Sequence, residues 1–560
     1  MVDSLKNTKV AYFSMEIALE NSLKTYAGGL GVLAGDLLRA ASEIKFPMVG
    51  ITLLNPEGYL KQKISFLNKQ IARPDMNSDF SKLKKLSTTA EICIGKEKVK
   101  IGVWQYLISG EKGFKIPVYF LDTNLKVNSK EIRKISGRLY GGDRDYRLKQ
   151  EIVLGRGGVK ILRALGYKNI SKVHLNEGHG SLAALELFLE SKKKDFKTKL
   201  KEVRDYCVFT THTSIPHSQE IFERIKFLDY QPDFPAELKE VFRDDWVNFT
   251  LLGFYFSSYV NAVSKLHQVV VNRLYPNFNV NSNTNGVDSL FWTAEEFKSL
   301  YDRYIINWRS DNSKLVKAIK ISKTEIASAH KKTKKKLIDY VNKISRVKLS
   351  ENVFTIGYAR RFTSYKRPEF LLNDFKKLIK INNEVGKIQI IYSGKAHTND
   401  LEGQRMIKDI LNIKRKLKGK IKIVFLENYD LDKAKLLVSG VDLWLNTPAL
   451  YFEACGTSGM KAAHNGVPQL STLDGWWPEG YREGITGWAI IEKRAKASDP
   501  EKIDSNLYNL LSKKIIPLFY KDPETWAGIM RNTISINASY FNAQRNLKQY
   551  IKEAYKIKKY

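Results

Sequence analysis

Glu453-Ala-Cys-Gly-Thr-Ser-Gly-Met-Lys461 sets a lysine behind a run of small residues. Small residues let a backbone approach a ligand closely, and bare N–H groups can hold an anion. A lysine there can form an imine with an aldehyde if its pKa is lowered. A glycine loop with a solvent-exposed lysine is the competing reading. Arg360-Arg361-Phe-Thr-Ser-Tyr-Lys366-Arg367 collects four cations directly after an apolar run. Arginine offers a bidentate fork to phosphate and lysine a point charge, so this turn predicts an oxyanion site or, failing that, a basic surface turn.

Four further segments carry polar chemistry. Tyr26-Ala-Gly28-Gly29-Leu-Gly31 opens a helical pattern, where glycine amides at a helix start suit an anion. No clean strand precedes it, which argues against a dinucleotide fingerprint. Thr210-Thr211-His212-Thr213 and His174-Leu-Asn176-Glu177-Gly-His179 are polar tips behind apolar runs. Their histidines do not follow the HExxH spacing, and no metal is expected. Asn283-Thr284-Asn285-Gly286 is turn-rich, with amides suited to hydroxyl groups. Leu473-Asp474-Gly475-Trp476-Trp477 puts two aromatics beside an acid, either to pack on a sugar ring or to fill a core. No Ser-His-Asp order stands out, and a glycosidase carboxylate pair cannot be picked from 59 acidic residues.

The elements that position these tips are short β-branched and aromatic runs alternating with longer amphipathic ones. Val10–Phe13, Val173–Leu175, Val208–Thr211 and Val269–Val271 predict buried strands in the first half. Phe354–Tyr358, Ile388–Tyr392, Ile421–Leu426 and Leu443–Asn446 do so in the second. Helical patterns over Ser181–Glu190, Pro368–Ile381 and Asn399–Leu417 lie between them. The alternation predicts an α/β protein of two doubly wound, Rossmann-like domains facing across a cleft, with ligands at the carboxyl ends of parallel strands. The expected division is residues 1–285, a helical connector over 286–350, a second α/β domain over 351–540, and a C-terminal helix over 541–560.

The 560 residues hold 93 Lys+Arg and 59 Asp+Glu, a formal net charge of +34. The lysines are spread along the chain, and runs such as Lys192–Lys194 and Lys331–Lys336 sit in polar, helix-like surroundings without interleaved aromatics. That predicts a solvated surface rather than a nucleic-acid platform. Cys93, Cys207 and Cys455 lie far apart, which excludes a CxxC site and fits a reducing compartment. No apolar run nears the ~18 residues of a membrane span, and Glu16 and Glu20 break the N-terminal apolar stretch. A cytoplasmic protein without membrane partners is expected.

Taken in order, these pieces resemble the α-glucan (glycogen, starch and maltodextrin) phosphorylases, most closely their short bacterial and archaeal type. The resemblance runs from about Val10 to Trp477. It rests on Gly-Gly-Leu-Gly, Thr-His-Thr, Thr-Asn-Gly, Arg-Arg-x4-Lys-Arg, Glu-Asn-Tyr and Gly-Thr-x2-Met-Lys following one another. It implies a glycosyltransferase of the GT-B architecture that cleaves α-1,4-glucan with orthophosphate to α-glucose 1-phosphate. The implied cofactor is pyridoxal 5′-phosphate, held as an imine on Lys461. Arg361 and Lys366 match the residues that hold the substrate phosphate, and Arg360 and Tyr429 match positions beside the cofactor. Gly28 and Gly29 match the loop whose amides face phosphate, and Thr457 falls in the cofactor motif. His212, Asn285, Glu453 and Gly456 match residues around the glucosyl unit that is cleaved. A homodimer is the candidate assembly.

Three departures from the pattern bear on acceptor preference. Cys455 stands where serine is expected, Ala449–Phe452 where the short type is basic and proline-containing, and Thr363-Ser364 where long enzymes carry His-Glu. The regulatory N-terminal tail of the long enzymes has no counterpart, so no control by phosphorylation is expected. A nucleotide-sugar glucan synthase on the same fold and an inactive glucan-binding homologue are the rival readings. Lys461 discriminates against the synthase, which needs no imine lysine.

Overall fold

Strands buried on both faces read as continuous apolar runs, and two sheets are built from them. A computed structural model describes residues 8–76, 78–215, 219–491 and 505–558. The chain divides into two units: one runs up to Leu60, through Pro74–Thr284, and from Asn546 onward, and the other comprises Lys61–Arg73 and Asn285–Arg545.

In the first unit β1 (Val10–Phe13), β2 (Met48–Leu53), β3 (Lys84–Ile94), β4 (Glu97–Ser109), β5 (Lys115–Asp122), β6 (Lys172–Asn176), β7 (Cys207–Thr210), β8 (Tyr259–Ala262) and β9 (Val280–Ser282) form one sheet. The spatial order is β9-β8-β7-β6-β1-β2-β5-β4-β3. Strands β9 to β5 pair in parallel, and β4 and β3 complete an antiparallel edge. Val10 pairs with Met48 on one side and Lys172 on the other, so β1 is central and wholly buried. Strand β3 alternates exposed positions with half-buried ones and, at Ile92 and Ile94, buried ones, which is why a search for continuous apolar runs passes over it.

One expected strand is a helix. Val269–Val271 lies inside α1 (Lys265–Leu274), where Val271 is buried and Val269 exposed. The Ser264 hydroxyl accepts from the His267 N–H at 3.0 Å and caps the first turn. A cap plus one buried face outweighs the β-propensity of three valines. The strand of this region is β8. The chain end also returns to this unit: His174 on β6 shares hydrogen bonds with Tyr555 at 2.7 Å and Thr210 at 2.8 Å.

The second unit has β10 (Phe354–Ala359), β11 (Ile388–Ser393), β12 (Lys422–Leu426), β13 (Leu443–Asn446), β14 (Gln469–Thr472) and β15 (Gly487–Ile490). They are all parallel, in the order β12-β11-β10-β13-β14-β15. That is the doubly wound order, with its switch point between β10 and β13. Residues 286–350, expected as a connector, lie within this unit. There α2 (Lys323–Ile344) packs Leu337 over Gly440, and Lys334 pairs with Asp442 at 2.6 Å. Lys334 is therefore buried, although the lysine run around it reads as a solvated face. A hairpin segment, Lys61–Arg73, belongs here too. Gln62 Nε2 donates to the Gly394 carbonyl at 2.8 Å, and Gln70 Nε2 to the Ala396 carbonyl at 2.9 Å. Among the described residues no helix is long and apolar enough to cross a membrane.

Candidate functional site

The strand order reverses between β10 and β13, and in a doubly wound sheet a ligand site is expected at the carboxyl ends of the strands that flank this point. Arg360 is the residue after β10, and its N–H donates to the Ser393 carbonyl at 3.2 Å. Its buried guanidinium donates through Nη1 to Asn446 Oδ1, the last residue of β13, at 3.1 Å, and through Nη2 to Glu453. Lys366 is buried on a single 3-10 turn, Ser364–Lys366, and its Nζ donates to both Glu453 oxygens at 2.8 and 3.1 Å. Two cations thus share one carboxylate. Burial alone would raise the Glu453 pKa, but Arg360 and Lys366 outweigh it and pull the value down to about 2. Glu453 is ionised at every ordinary pH.

The loop carrying Glu453 is clamped from behind. Asp474 Oδ2 accepts from the Glu453 N–H at 2.8 Å and Oδ1 accepts from Gly475 N–H at 2.9 Å. Burial pushes Asp474 up to about 6 against these two amides. Gly475 has φ +58, in the left-handed region, and a side chain there would meet Cys455 Cα at 3.3 Å. The loop feeds α3 (Ser458–Ala463), which carries Lys461. Lys461 is 7% exposed, with Nζ 4.0 Å from the centre of the Trp292 ring. A Cβ on Gly459 of the same turn would sit 1.4 Å from Gln469 Oε1, so a larger residue there requires the buried Gln469 side chain to move.

The sequence-predicted residues therefore gather in part. Arg360, Lys366, Glu453 and Gly456 meet: a Cβ on Gly456 would lie 3.1 Å from Arg360 Nη2. Thr457 precedes α3 and is half-buried. Tyr429 follows β12, and burial pushes its hydroxyl above the usual phenol range while Arg360 opposes the shift. Arg361 is exposed on the same turn as Arg360. Asn285 is buried, and its carbonyl accepts from Arg545 Nη2 at 3.0 Å. Trp476 and Trp477 are core residues, buried at 2% and 1% exposure, with Trp476 edge-on to Phe541.

In the first unit the order reverses between β1 and β6, and the polar tips gather there. Asn176 Nδ2 donates to Ser14 Oγ across the switch point at 3.0 Å. The His212 N–H donates to Glu177 Oε2 at 2.6 Å, and His212 Nε2 pairs with Asn176 Oδ1 at 2.7 Å. Burial, with His267 and His179 nearby, lowers the His212 pKa to about 3, so its ring is neutral. The amides of Ala27 and Gly28 donate to Glu16 Oε2, the Gly28 one at 3.1 Å, and the Tyr140 hydroxyl donates to Glu16 Oε1 at 3.1 Å. Gly28 and Gly29 have open space where a Cβ would point.

Sequence reasoning missed the group behind these tips. His179 Nδ1 contacts Glu151 Oε1 at 3.0 Å, its Nε2 lies 3.9 Å from Glu220 Oε1, and Arg147 pairs with Glu220. The three ligand-type groups Glu151, His179 and Glu220 lie close enough to hold a metal. Both ring nitrogens face carboxylates and Arg147 supplies a further positive charge, so the group is an ion network, in which burial and Glu220 raise the Glu151 carboxyl to about 7. Burial opposes the His179 charge, but Glu220 and Glu151 overcome it and raise the pKa to about 9. His174, by contrast, is tied to Tyr555 and Thr210, so the two histidines of that motif face different partners. Asn446 was also missed, and a polar residue ending an apolar run is the only signal the sequence offers for it; Asp474 was singled out beside the tryptophans, but not as the clamp of the Glu453 loop.

A parallel α/β protein with buried cations at a switch point is the class this unit defines. Residues 235–479 match the family model of the carbohydrate phosphorylases. The maltodextrin phosphorylase of Thermococcus litoralis is 36% identical over 98% of this chain and 70% of its own. The glycogen phosphorylase of Aquifex aeolicus is 34% identical over 98% and 86%, and that of Mycobacterium tuberculosis 30% over 98% and 71%. The chain belongs to the carbohydrate phosphorylase family.

Proposed function

We propose that this chain catalyses the phosphorolysis of α-1,4-glucan. The bond between the anomeric carbon of the terminal glucosyl unit and the glucan O4 breaks, and an orthophosphate oxygen bonds to that carbon. α-Glucose 1-phosphate and a glucan one unit shorter are released, with O4 taking a proton from the phosphate. The observation that carries this reading is the Arg360–Lys366–Glu453 cluster, two buried cations on one carboxylate in the same unit as the buried Lys461. The names of the relatives, maltodextrin and glycogen phosphorylases, support it. The GT-B architecture belongs to the same reading, and the doubly wound strand orders, all parallel in the second unit and parallel but for one edge in the first, support it.

The cluster carries one net positive charge in a desolvated place, and an oxyanion supplies the missing negative charge. Lys366 and Arg361 are assigned to orthophosphate. Glu453, ionised throughout, accepts from a sugar hydroxyl, with the Gly456 amide and Asn285 beside it. Neutral His212 donates Nε2–H to Asn176, which leaves the Nδ1 lone pair to accept from the glucosyl unit. The departing O4 needs a proton and the anomeric carbon gathers positive charge, so a phosphate bearing one proton on the carbon's side serves both needs.

Pyridoxal 5′-phosphate is the cofactor of this reading. Arg360 Nε is buried without a protein partner, an orphan donor of the kind a phosphate oxygen satisfies, and the Lys461 amine is almost fully enclosed. The residues of the second unit fit the group: Lys461 would hold it, with Arg360, Tyr429 and Thr457 around it; the Gly28 amide, which the resemblance assigns to phosphate, is instead occupied by Glu16 Oε2. When bound it supplies a second phosphate monoester, whose pKa near ~6 allows proton exchange with orthophosphate at neutral pH. Borohydride reduction of the holoenzyme and peptide mapping test the assignment, with a pyridoxyl group on Lys461 expected. Unlabelled protein that also releases no sugar phosphate from maltodextrin and orthophosphate would falsify the proposal.

A further inference from the structure

Directly before Glu453, two large aromatics face solvent: Tyr451 is 46% exposed and Phe452 44%. Exposed rings of this size beside a buried ionic cluster call for a partner. Tyr451 also sits at φ +71, the left-handed region that a bulky residue occupies only when its surroundings impose it. The constraints are present. The Ala449 N–H donates to the Tyr365 carbonyl at 2.7 Å, the Phe452 N–H to the Ala449 carbonyl at 3.2 Å, and the Glu453 N–H to Asp474 at 2.8 Å. The turn is thus pinned at both ends in a costly conformation that turns its aromatics outward. The Phe452 and Tyr365 rings lie 6.4 Å apart and within 24° of parallel, and Lys366 Nζ is 4.6 Å from the centre of the Tyr365 ring. The aromatic group is therefore continuous with the cation cluster.

We propose that Tyr365, Tyr451 and Phe452 form a sugar-binding platform on the rim of the Glu453 cluster, on which a glucosyl unit of an α-glucan stacks; this rests on the phosphorolysis reading. A pyranose presents a face of C–H groups whose slight positive charge matches the negative face of an aromatic ring, and its hydroxyls stay in water at the edge. The Tyr451 hydroxyl adds a polar handle. A glucan already held by its terminal unit at Glu453 brings its next units past this rim. Two of its three rings, Tyr451 and Phe452, lie in Ala449–Phe452, where this chain departs from the basic, proline-containing short pattern, so the acceptor preference it sets rests on those two.

Isothermal titration of the holoenzyme with maltoheptaose tests the platform. Phe452→Ala is expected to bind about tenfold more weakly than the parent, the cost of losing one buried aromatic contact. Phe452→Tyr should hold the parent affinity and Phe452→Leu should not. Tyr451→Gly keeps the left-handed backbone without the ring, and should weaken binding while leaving the thermal midpoint equal or higher. Equal affinity across the Ala, Leu and parent proteins overturns the platform alone. A parent holoenzyme that does not bind maltoheptaose overturns the phosphorolysis reading, and the platform with it.

Discussion

Glu453→Gln removes the one negative charge that two buried cations share, and its cost follows from the site. Burial would raise the carboxyl's pKa, yet Arg360 and Lys366 bring it from an ordinary 4.5 to about 2. That gap of about 2.5 pH units corresponds to roughly 3 kcal/mol at ~1.36 kcal/mol per unit. The Glu453 side chain is only 11% exposed, so solvent screening removes little of it. A lowered carboxyl stabilises the fold above its unfolded pKa and loses that contribution as pH falls through its folded pKa. The deficit of the variant should therefore be full at pH 7 and shrink between about pH 4.5 and pH 2. A cooperative unit of 150–250 residues moves by about 2–4 °C per kcal/mol and this unit is somewhat larger, so its transition should fall by roughly 6 °C. The assay is a thermal melt at pH 7 followed by near-ultraviolet circular dichroism, with and without orthophosphate. An added oxyanion replaces the missing charge, so orthophosphate should raise the variant's midpoint more than the parent's. A variant that melts with the parent at pH 7, or that orthophosphate leaves untouched, refutes the charge accounting.

Three further expectations come from other parts of the molecule. His179 is held protonated up to about pH 9 against an ordinary 6.5, so it stabilises the fold fully below pH 6.5 and ceases to do so as pH rises through 9. The parent's midpoint should fall across that window and that of His179→Gln should fall less; a flat parent profile contradicts this. Gln62→Ala with Gln70→Ala deletes hydrogen bonds to Gly394, Ala396 and Asn428, each worth about 1 kcal/mol. Limited proteolysis near Ser65–Lys69 should accelerate, and an unchanged digestion pattern would show that these bonds do not hold the hairpin. Gly459→Ala displaces the Gln469 side chain, whose Oε1 would otherwise lie 1.4 Å from the new methyl, and should cost about 1–3 kcal/mol in denaturant unfolding, with Gln469→Ala restoring part of it.

Much of the second unit could be read directly from the chain. Phe354–Tyr358, Ile388–Tyr392, Ile421–Leu426 and Leu443–Asn446 correspond to β10 to β13, because strands covered on both faces are written as unbroken apolar runs. The same runs point to the cation turn and the lysine motif at strand ends, and the order of short motifs was enough for the family. The antiparallel edge of the first sheet was not legible, since β3 and β4 carry lysines on an exposed face. Neither was the helix over Val269–Val271, where one serine cap and one buried face decide against local propensity.

Residue types and their order fix which groups are available and which end of a strand they follow. Only the folded chain decides which carboxylate meets which cation. Glu453 is 93 residues from Arg360 and 87 from Lys366, and His179 lies 28 from Glu151. No spacing rule connects such positions. The Glu453 pairings follow from the strand order that sets β10 beside β13, and those of His179 from the packing of the first unit; the pKa values follow from the burial that each imposes.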